Sequence, residues 1–488
     1  MIALPFILNT LFNFVIGLLV AKFLGPAEYG RYALALSVGA VLQTLGLDWL
    51  RLSATRFYSE SDRASRPEIR ATLNVTFAVI ASLAIAGAIG IAFSGLKLPL
   101  SPGLVALAIG TAVANGLFEF SAALVRARFL DRAYAALVIS KTILSIGLTV
   151  GGAWYFGSAT MALVGLVFSV VGSLVLSHNV LDDEAARPSL ADTGLVKRYA
   201  RYALPIVLAN VLYQAVPMID RGLASQVHNF AEAGQFALAF DIGIRIVGAI
   251  GSAVDVLLFQ MAVLAEKTFG TEAARQQISR NMGLVFAVVI PVVAGSWLIL
   301  PSFEHLLVPV SFRGPFAHYF TLMLPAMLCF ALMNFSVGPA FQISDRTLPL
   351  IIGGLVALIA NGLAILWLPA SSDASTFALA QSVSSGAALA VMILFLFTLT
   401  PMWPSPRDIA GALVSAGLML AAVTPLRAMA PGFVTLVLEI GAGVSIYALG
   451  VLAFDVGRLR SLLVPRLQDW SLWRSAAGVV ARSRTRVG

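Results

Sequence analysis

Apolar stretches of about 20 residues follow one another along this chain roughly fourteen times. They are centred near residues 14, 42, 84, 113, 145, 168, 214, 246, 291, 325, 359, 386, 417 and 443. Each is long enough for one helix to cross the hydrocarbon core of a bilayer. Composition leaves little else: with 59% hydrophobic and 11% charged residues and a mean hydropathy of +0.91, a soluble protein of this length would carry more apolar surface than its interior can hold. In lipid every backbone polar group needs an internal partner, and a closed barrel would show alternating strands of about ten residues. The expected fold is therefore an all-α polytopic membrane protein.

The chain is also duplicated. Residues 26–39 (Pro-Ala-Glu-Tyr-Gly-Arg-Tyr-Ala-Leu-Ala-Leu-Ser-Val-Gly) return 204 positions later at 230–243 (Phe-Ala-Glu-Ala-Gly-Gln-Phe-Ala-Leu-Ala-Phe-Asp-Ile-Gly), with seven of fourteen positions identical. Leu4-Pro5 and Leu204-Pro205 open the preceding apolar segments, so helix, turn and next helix recur in order. A repeat six helices long gives two lobes of one orientation, related by an axis along the membrane normal. The expected organisation is two pseudo-symmetric six-helix lobes at 1–178 and 203–400, joined by a cytoplasmic linker at 179–202. Two further helices at 401–455 and a basic tail at 456–488 follow. Leu463, Leu467, Trp470 and Trp473 recur at helical spacing around Pro465 among seven Arg, so the tail is expected to lie as an amphipathic helix on the inner leaflet. Met-Ile-Ala-Leu-Pro opens without a basic leader, so the first helix is expected to be retained.

The net charge of +8 suggests nucleic acid until its location is considered. Of 32 Lys and Arg, 24 fall in alternate loops, at 51–70, 126–132, 179–201, 262–280, 337–348, 400–407 and beyond 455. The positive-inside rule makes these loops cytoplasmic and puts both termini inside. Trp154, Trp297 and Trp367 fall at expected outer helix ends, Trp49 and Trp403 at inner ends. The loops are short, with no phosphate-binding G-x-x-x-x-G-K-[ST] and no room for an ATPase or transferase domain. Asp182-Asp183-Glu184 reads as a solvated acidic run, the single Cys329 excludes an intramolecular disulfide, and the four His lack metal-ligand spacing. No cofactor and no catalytic residue is expected.

Charges inside helices are costly unless they face water or a partner, so these residues define the candidate site. At 100° per residue, Asp241, Arg245, Gly248, Ser252 and Asp255 form one stripe on the eighth helix. The 204-residue offset maps Asp241, Gly248, Ser252 and Asp255 onto Ser37, Thr44, Asp48 and Arg51, which also share a face. The seventh helix adds Asn210, Gln214 and Arg221, with Asp220 alongside, and the fourth adds Thr111, Asn115, Glu119 and Arg126. Two readings stand: a water-filled cleft between lobes, or mutual neutralisation in a packed bundle, Asp241 with Arg245 and Glu119 with Arg126. The cleft reading nominates Arg221, Arg245, Asn210, Gln214, Asp48, Arg51 and Asn115 for substrate. Glu119, Asp241 and Asp255 are the carboxylates for coupling to a proton or sodium ion. Lys22, on the far side of its helix from Asn9 and Asn13, reads as snorkelling.

The turn Leu24-Gly25-Pro26-Ala27-Glu28-Tyr29-Gly30-Arg31-Tyr32, the Asp220-Arg221 pair and the twelve-plus-two helix count resemble the O-antigen-type polysaccharide biosynthesis flippases. These belong to the multidrug/oligosaccharidyl-lipid/polysaccharide exporter superfamily. The resemblance implies export of a polyprenyl-diphosphate-linked oligosaccharide from the cytoplasmic to the periplasmic leaflet of a bacterial inner membrane. It also implies work beside a polysaccharide polymerase and chain-length proteins, with cavity cations receiving the diphosphate. Arg221 and Arg245 are the residues available here. A sugar head group and its diphosphate cost too much to bury unpaired, so such a cargo needs a hydrated path. The alternatives are a drug/cation antiporter or peptidoglycan-precursor flippase of the same superfamily, and a membrane-embedded polymerase or ligase. The last would want a long outer loop, and none is present in the sequence. The sugar, the coupling ion and the oligomeric state are not encoded in any recognisable motif.

Overall fold

The computed structural model describes residues 3–95, 99–344, 346–399, 403–458 and 460. Among these the chain is helical, without strands. Its helices are α1 (Ala3–Gly46), α2 (Asp48–Phe57), α3 (Glu60–Ser65), α4 (Pro67–Phe93), α5 (Pro102–Ala127), α6 (Asp131–Leu144), α7 (Gly151–Phe156), α8 (Ala159–Leu176) and α9 (His178–Leu181). There follow α10 (Thr193–Val227), α11 (Phe230–Phe269), α12 (Thr271–Leu307), α13 (Pro315–Leu332), α14 (Gly338–Ile343), α15 (Leu348–Trp367), α16 (Ser375–Leu399), α17 (Pro406–Val423) and α18 (Phe433–Phe454). The tail helix expected beyond Arg460 lies outside the described residues.

Among the described residues thirteen helices are long and apolar enough to cross a membrane, and the chain is a multi-pass membrane protein. The sequence suggests fourteen because α1 contains two of its apolar segments. The helix is broken at Gly25, whose φ of 68° lies in the left-handed region that glycine occupies without penalty. Pro26 follows and starts the second half, where its missing N–H costs nothing.

The helices divide into two compact units, one drawn from Met1–Ala249, Leu307–Phe330 and Phe341–Phe395, the other from Ile250–Leu306, Ala331–Ala340 and Leu396–Gly488. Within the second, α12 packs with α17 and α18 through Leu298, Met419, Val423 and Ile446. The Tyr447 hydroxyl donates to the Ala287 carbonyl at 2.6 Å, and the Arg427 guanidinium lies 3.9 Å from the centre of the Trp297 ring.

Within the first unit the duplicated segment packs against its own copy. A Cβ on Gly30 would fall 2.0 Å from the Phe230 carbonyl oxygen, and a Cβ on Gly234 would fall 2.0 Å from that of Pro26. These residues correspond under the repeat offset, 30 to 234 and 26 to 230, so the approach is reciprocal. Two helices come together backbone on backbone, which only residues without side chains permit. The motif glutamates have matching roles. Glu28 accepts from the Ala159 N–H at 2.8 Å, at the start of α8. Its copy Glu232 accepts from the Tyr319 hydroxyl, which in turn accepts from the Ala374 N–H at 3.1 Å, just before α16. Each repeat thus uses its Glu to satisfy a backbone donor at the opening of its sixth helix, directly in one copy and through a tyrosine in the other.

This relay gives a measurable expectation. Tyr319→Phe leaves a carboxylate and a backbone N–H without the hydroxyl between them, in a site where Tyr319 is 1% exposed. The cost should be about 1–3 kcal/mol, read as a lower thermal midpoint in detergent. An unchanged midpoint would show that water replaces the hydroxyl at no cost.

Candidate functional site

The second half of α1 and α10 run antiparallel through the first unit, and polar rungs join them. Gln214 donates to the Thr44 hydroxyl at 3.0 Å, and Arg221 donates to the Ser37 hydroxyl at 2.6 Å. Both pairs of residue numbers sum to 258, so the rungs lie in register seven residues apart, about 10 Å along the helices. Four of the residues singled out as polar stripes therefore face one another.

The Arg221 rung belongs to a wider network, although the arginine's Nε is buried without a hydrogen-bond partner. Its guanidinium, on a residue 6% exposed, also donates to the Ala33 carbonyl at 3.3 Å and pairs with the Asp241 carboxylate of α11. The Tyr29 hydroxyl donates to the other oxygen of Asp241 at 3.3 Å. The ring of Phe240 lies 5.5 Å from the guanidinium carbon. A bidentate cation with this many partners can hold three helices at once.

The Thr44 rung belongs to a second network. Asp48, 7% exposed, accepts from Gln43, Thr44 and Arg51, each at 3.4 Å. Beyond it the helices close over an apolar cluster of Leu47, Trp49, Leu50, Ala54 and Tyr58 from one side and Tyr199, Ala203 and Val207 from the other.

Arg245, whose charge is also felt at Tyr29, has its hydrogen bond elsewhere. It donates to the Asn13 carbonyl in the first half of α1, and its terminal nitrogen lies 2.9 Å from where a Gly17 Cβ would be. That glycine leaves room for the long side chain to reach across to α1. The i,i+4 neutralisation of Asp241 by Arg245 is replaced by a pair with Arg221. Glu119, half-buried on α5, has Lys141 of α6 as an attractive charge, while Arg126 is exposed and lies over the Tyr134 ring at 5.3 Å. Asn115 and Asn210 are half-buried on α5 and α10. Asp255 is on α11, with its side chain outside the described ones.

Three participants have roles that a reading of the sequence does not give, although Asp220 stands beside Arg221 in it. Asp220, 0% exposed, accepts from Asn361 of α15 at 3.2 Å through one oxygen, while its other oxygen has no hydrogen-bond partner. The lone Asn361 in an otherwise apolar helix was a visible signal. Lys141, whose ammonium sits 4.1 Å from the centre of the Phe118 ring, looks from the sequence like an ordinary helix residue. Tyr29 lies inside the repeated motif, where its copy is Ala233. No group of His, Cys, Asp and Glu able to hold a metal ion occurs among the described residues.

The paired repeats, the helix count and the intramembrane charge networks define a multi-helix membrane fold of the kind found in transporters. No protein-family model matches the chain, and no curated protein matches it. Among solved structures it is similar to the lipid II flippase MurJ in an inward closed conformation, with a TM-score of 0.71 and 11% identity over 95% of this chain and 99% of that one. It is also similar to a multidrug resistance MATE family transporter of the MOP superfamily in an inward-facing conformation, with a TM-score of 0.53 and 14% identity over 79% and 93%. A third is the eukaryotic MATE transporter AtDTX14, with a TM-score of 0.51 and 14% identity over 85% and 97%. At such identities these likenesses establish the fold that the chain shares with them.

Proposed function

We propose that the protein is a flippase that moves a polyprenyl-diphosphate-linked oligosaccharide from the cytoplasmic to the periplasmic leaflet of a bacterial inner membrane. It would serve synthesis of a surface polysaccharide, be it O-antigen, exopolysaccharide or capsule, beside a polymerase and chain-length proteins. The observation that carries this reading is the placement of two arginines, Arg221 and Arg245, on helices that run through a duplicated transporter fold. An arginine fork suits the paired oxygens of a diphosphate, and the lipid tail of such a cargo need not leave the bilayer. The function is transport and not catalysis, with no cofactor.

Lobes at 1–178 and 203–400, with helices at 401–455 appended, would rock about the rungs between α1 and α10, exposing the path to each side in turn. In that motion Arg221 exchanges Asp241 and Ser37 for the diphosphate, while Arg245, Asn210, Gln214, Asp48, Arg51 and Asn115 line the path. Without an ATPase, energy comes from an ion gradient or from consumption of the product. Glu119, Asp241 and Asp255 are the coupling carboxylates read from sequence. Asp220 joins them because one of its oxygens is buried without a partner.

The decisive assay is flipping of a fluorescent polyprenyl-diphosphate oligosaccharide in proteoliposomes, with quencher outside. Wild type should move the label between leaflets, and Arg245→Ala should not. Movement of a fluorescent organic cation in place of the lipid would support the antiporter reading instead. Selective movement of a peptidoglycan precursor would support the second flippase reading, which the likeness to MurJ over nearly the whole chain favours. Reporter fusions after residues 65 and 190 should both give cytoplasmic signals, and a periplasmic signal from either would break the proposed orientation.

A further inference from the structure

We propose that a cationic cleft at the start of α10 binds the phosphate headgroup of an anionic phospholipid. The cleft has a volume of about 450 Å³ and is lined by Phe57, Gly194, Lys197, Arg198, Arg201 and Tyr202. None of these is acidic, and among the described residues none of its three cations has an ion pair. The closest carboxylate along the chain, Asp192, is committed as the helix cap, accepting from the Gly194 N–H at 2.8 Å.

An aromatic floor lies under one of the cations. The Arg198 guanidinium lies 5.0 Å from the Phe57 ring centre, and Phe57 packs on Tyr199 at 5.3 Å and Tyr202 at 5.4 Å. The contrast is a second basic cleft, of about 590 Å³, lined by Arg63, Arg128 and Arg132. There Arg63 pairs with Asp183 and Arg128 with Glu60, so most of its charge is already neutralised.

A hydrocarbon path continues from the α10 cleft. At 100° per residue, Lys197, Arg201, Leu204 and Leu208 fall within about 60° of one another, and Leu204 and Leu208 are 48% and 47% exposed. Asn210 and Gln214 lie on the opposite side of the helix. Charge followed by exposed leucine along one face matches a ligand with an anionic phosphate above a hydrocarbon chain, and three cations near an anionic surface give substantial attraction. A free phosphate would have no use for the leucines. That selects a lipid over a soluble phosphate ester.

The test is native mass spectrometry of the full chain titrated with phosphatidylglycerol, with phosphatidylcholine and with soluble glycerol phosphate. Wild type should hold phosphatidylglycerol at least about tenfold more tightly than a Lys197→Gln, Arg198→Gln, Arg201→Gln variant, with phosphatidylcholine binding equal in both. A Leu204→Asn, Leu208→Asn variant should weaken the lipid and leave glycerol phosphate unaffected. Equal loss in a control lacking three other exposed arginines, Arg132→Gln, Arg187→Gln and Arg280→Gln, would overturn the site by reducing it to net charge. Glycerol phosphate binding as tightly as the lipid would overturn the choice of ligand. The substituted cations are all exposed, and a single charge reversal, Arg201→Glu, gives an independent reading if the triple variant fails to accumulate.

Discussion

Gly30→Ala and Gly234→Ala should each destabilise the protein by about 3 kcal/mol or more, at the upper end of what overpacking costs. Each new methyl would stand 2.0 Å from a carbonyl oxygen, Phe230 or Pro26. The obstacle is helix backbone on both sides, so no rotamer change relieves it and α1 and α11 have to separate. The matched control is Gly87→Ala, where nothing lies within 4 Å of the added carbon and improved helix propensity predicts no loss. Thermal midpoints in one detergent provide the comparison. If Gly30→Ala melts with Gly87→Ala, the reciprocal approach is not a feature of the folded protein. Gly30→Ser should be worse than Gly30→Ala, since the hydroxyl brings more atoms to the same contact.

The second large effect is at Arg221. Arg221→Ala leaves the Asp241 carboxylate, whose side chain is 24% exposed, without its cation, a loss of about 3 kcal/mol, the lower end for a broken buried pair. It also removes the donors to Ser37 and Ala33. Arg221→Gln combined with Asp241→Asn removes both charges and should recover most of that stability, because the cost lies in the unpaired carboxylate. Transport, compared with Asp241→Asn alone because Asp241 is itself a coupling candidate, separates the roles: if Arg221 holds the diphosphate, the double variant should be stable and less active than that single variant. If the pair serves packing alone, the double variant should regain activity along with its midpoint. Arg221→Lys tests the fork, since one compact ammonium replaces the two nitrogens that here serve Ser37 and Ala33 on one side and Asp241 on the other.

The helices were legible because the bilayer removes alternatives: a run such as Leu348–Trp367 has no other way to satisfy its backbone in lipid. Gly25-Pro26 marked the break in α1, and the repeat predicted that Ser37 and Asp241 would occupy equivalent positions. Which charges meet was not legible. Asp241 is one turn from Arg245 and twenty residues from Arg221, yet it pairs with the distant one, while Arg245 reaches the Asn13 carbonyl over Gly17. Partners of this kind come from different helices, which the spacing along one helix does not reveal. Tyr319 was hidden for a related reason. In an apolar helix a tyrosine reads as core, and its relay between Glu232 and Ala374 requires knowing that α13 passes between the repeat motif and α16.

The contact between Pro26 and Gly30 on one side and Phe230 and Gly234 on the other has the form of an isologous interface: residue i meets j, and the equivalent of j meets the equivalent of i. That arrangement normally belongs to two copies of one gene product. Held inside a single chain, it allows one half of the patch to change without its mirror changing too. Tyr29 carries a hydroxyl to Asp241 where its copy is Ala233, and Ser37 is the copy of Asp241 itself. A homodimer would have put an aspartate at both positions, so that two carboxylates approached the axis together. The fused chain could keep one and set Ser37, as a neutral acceptor for Arg221, at the other.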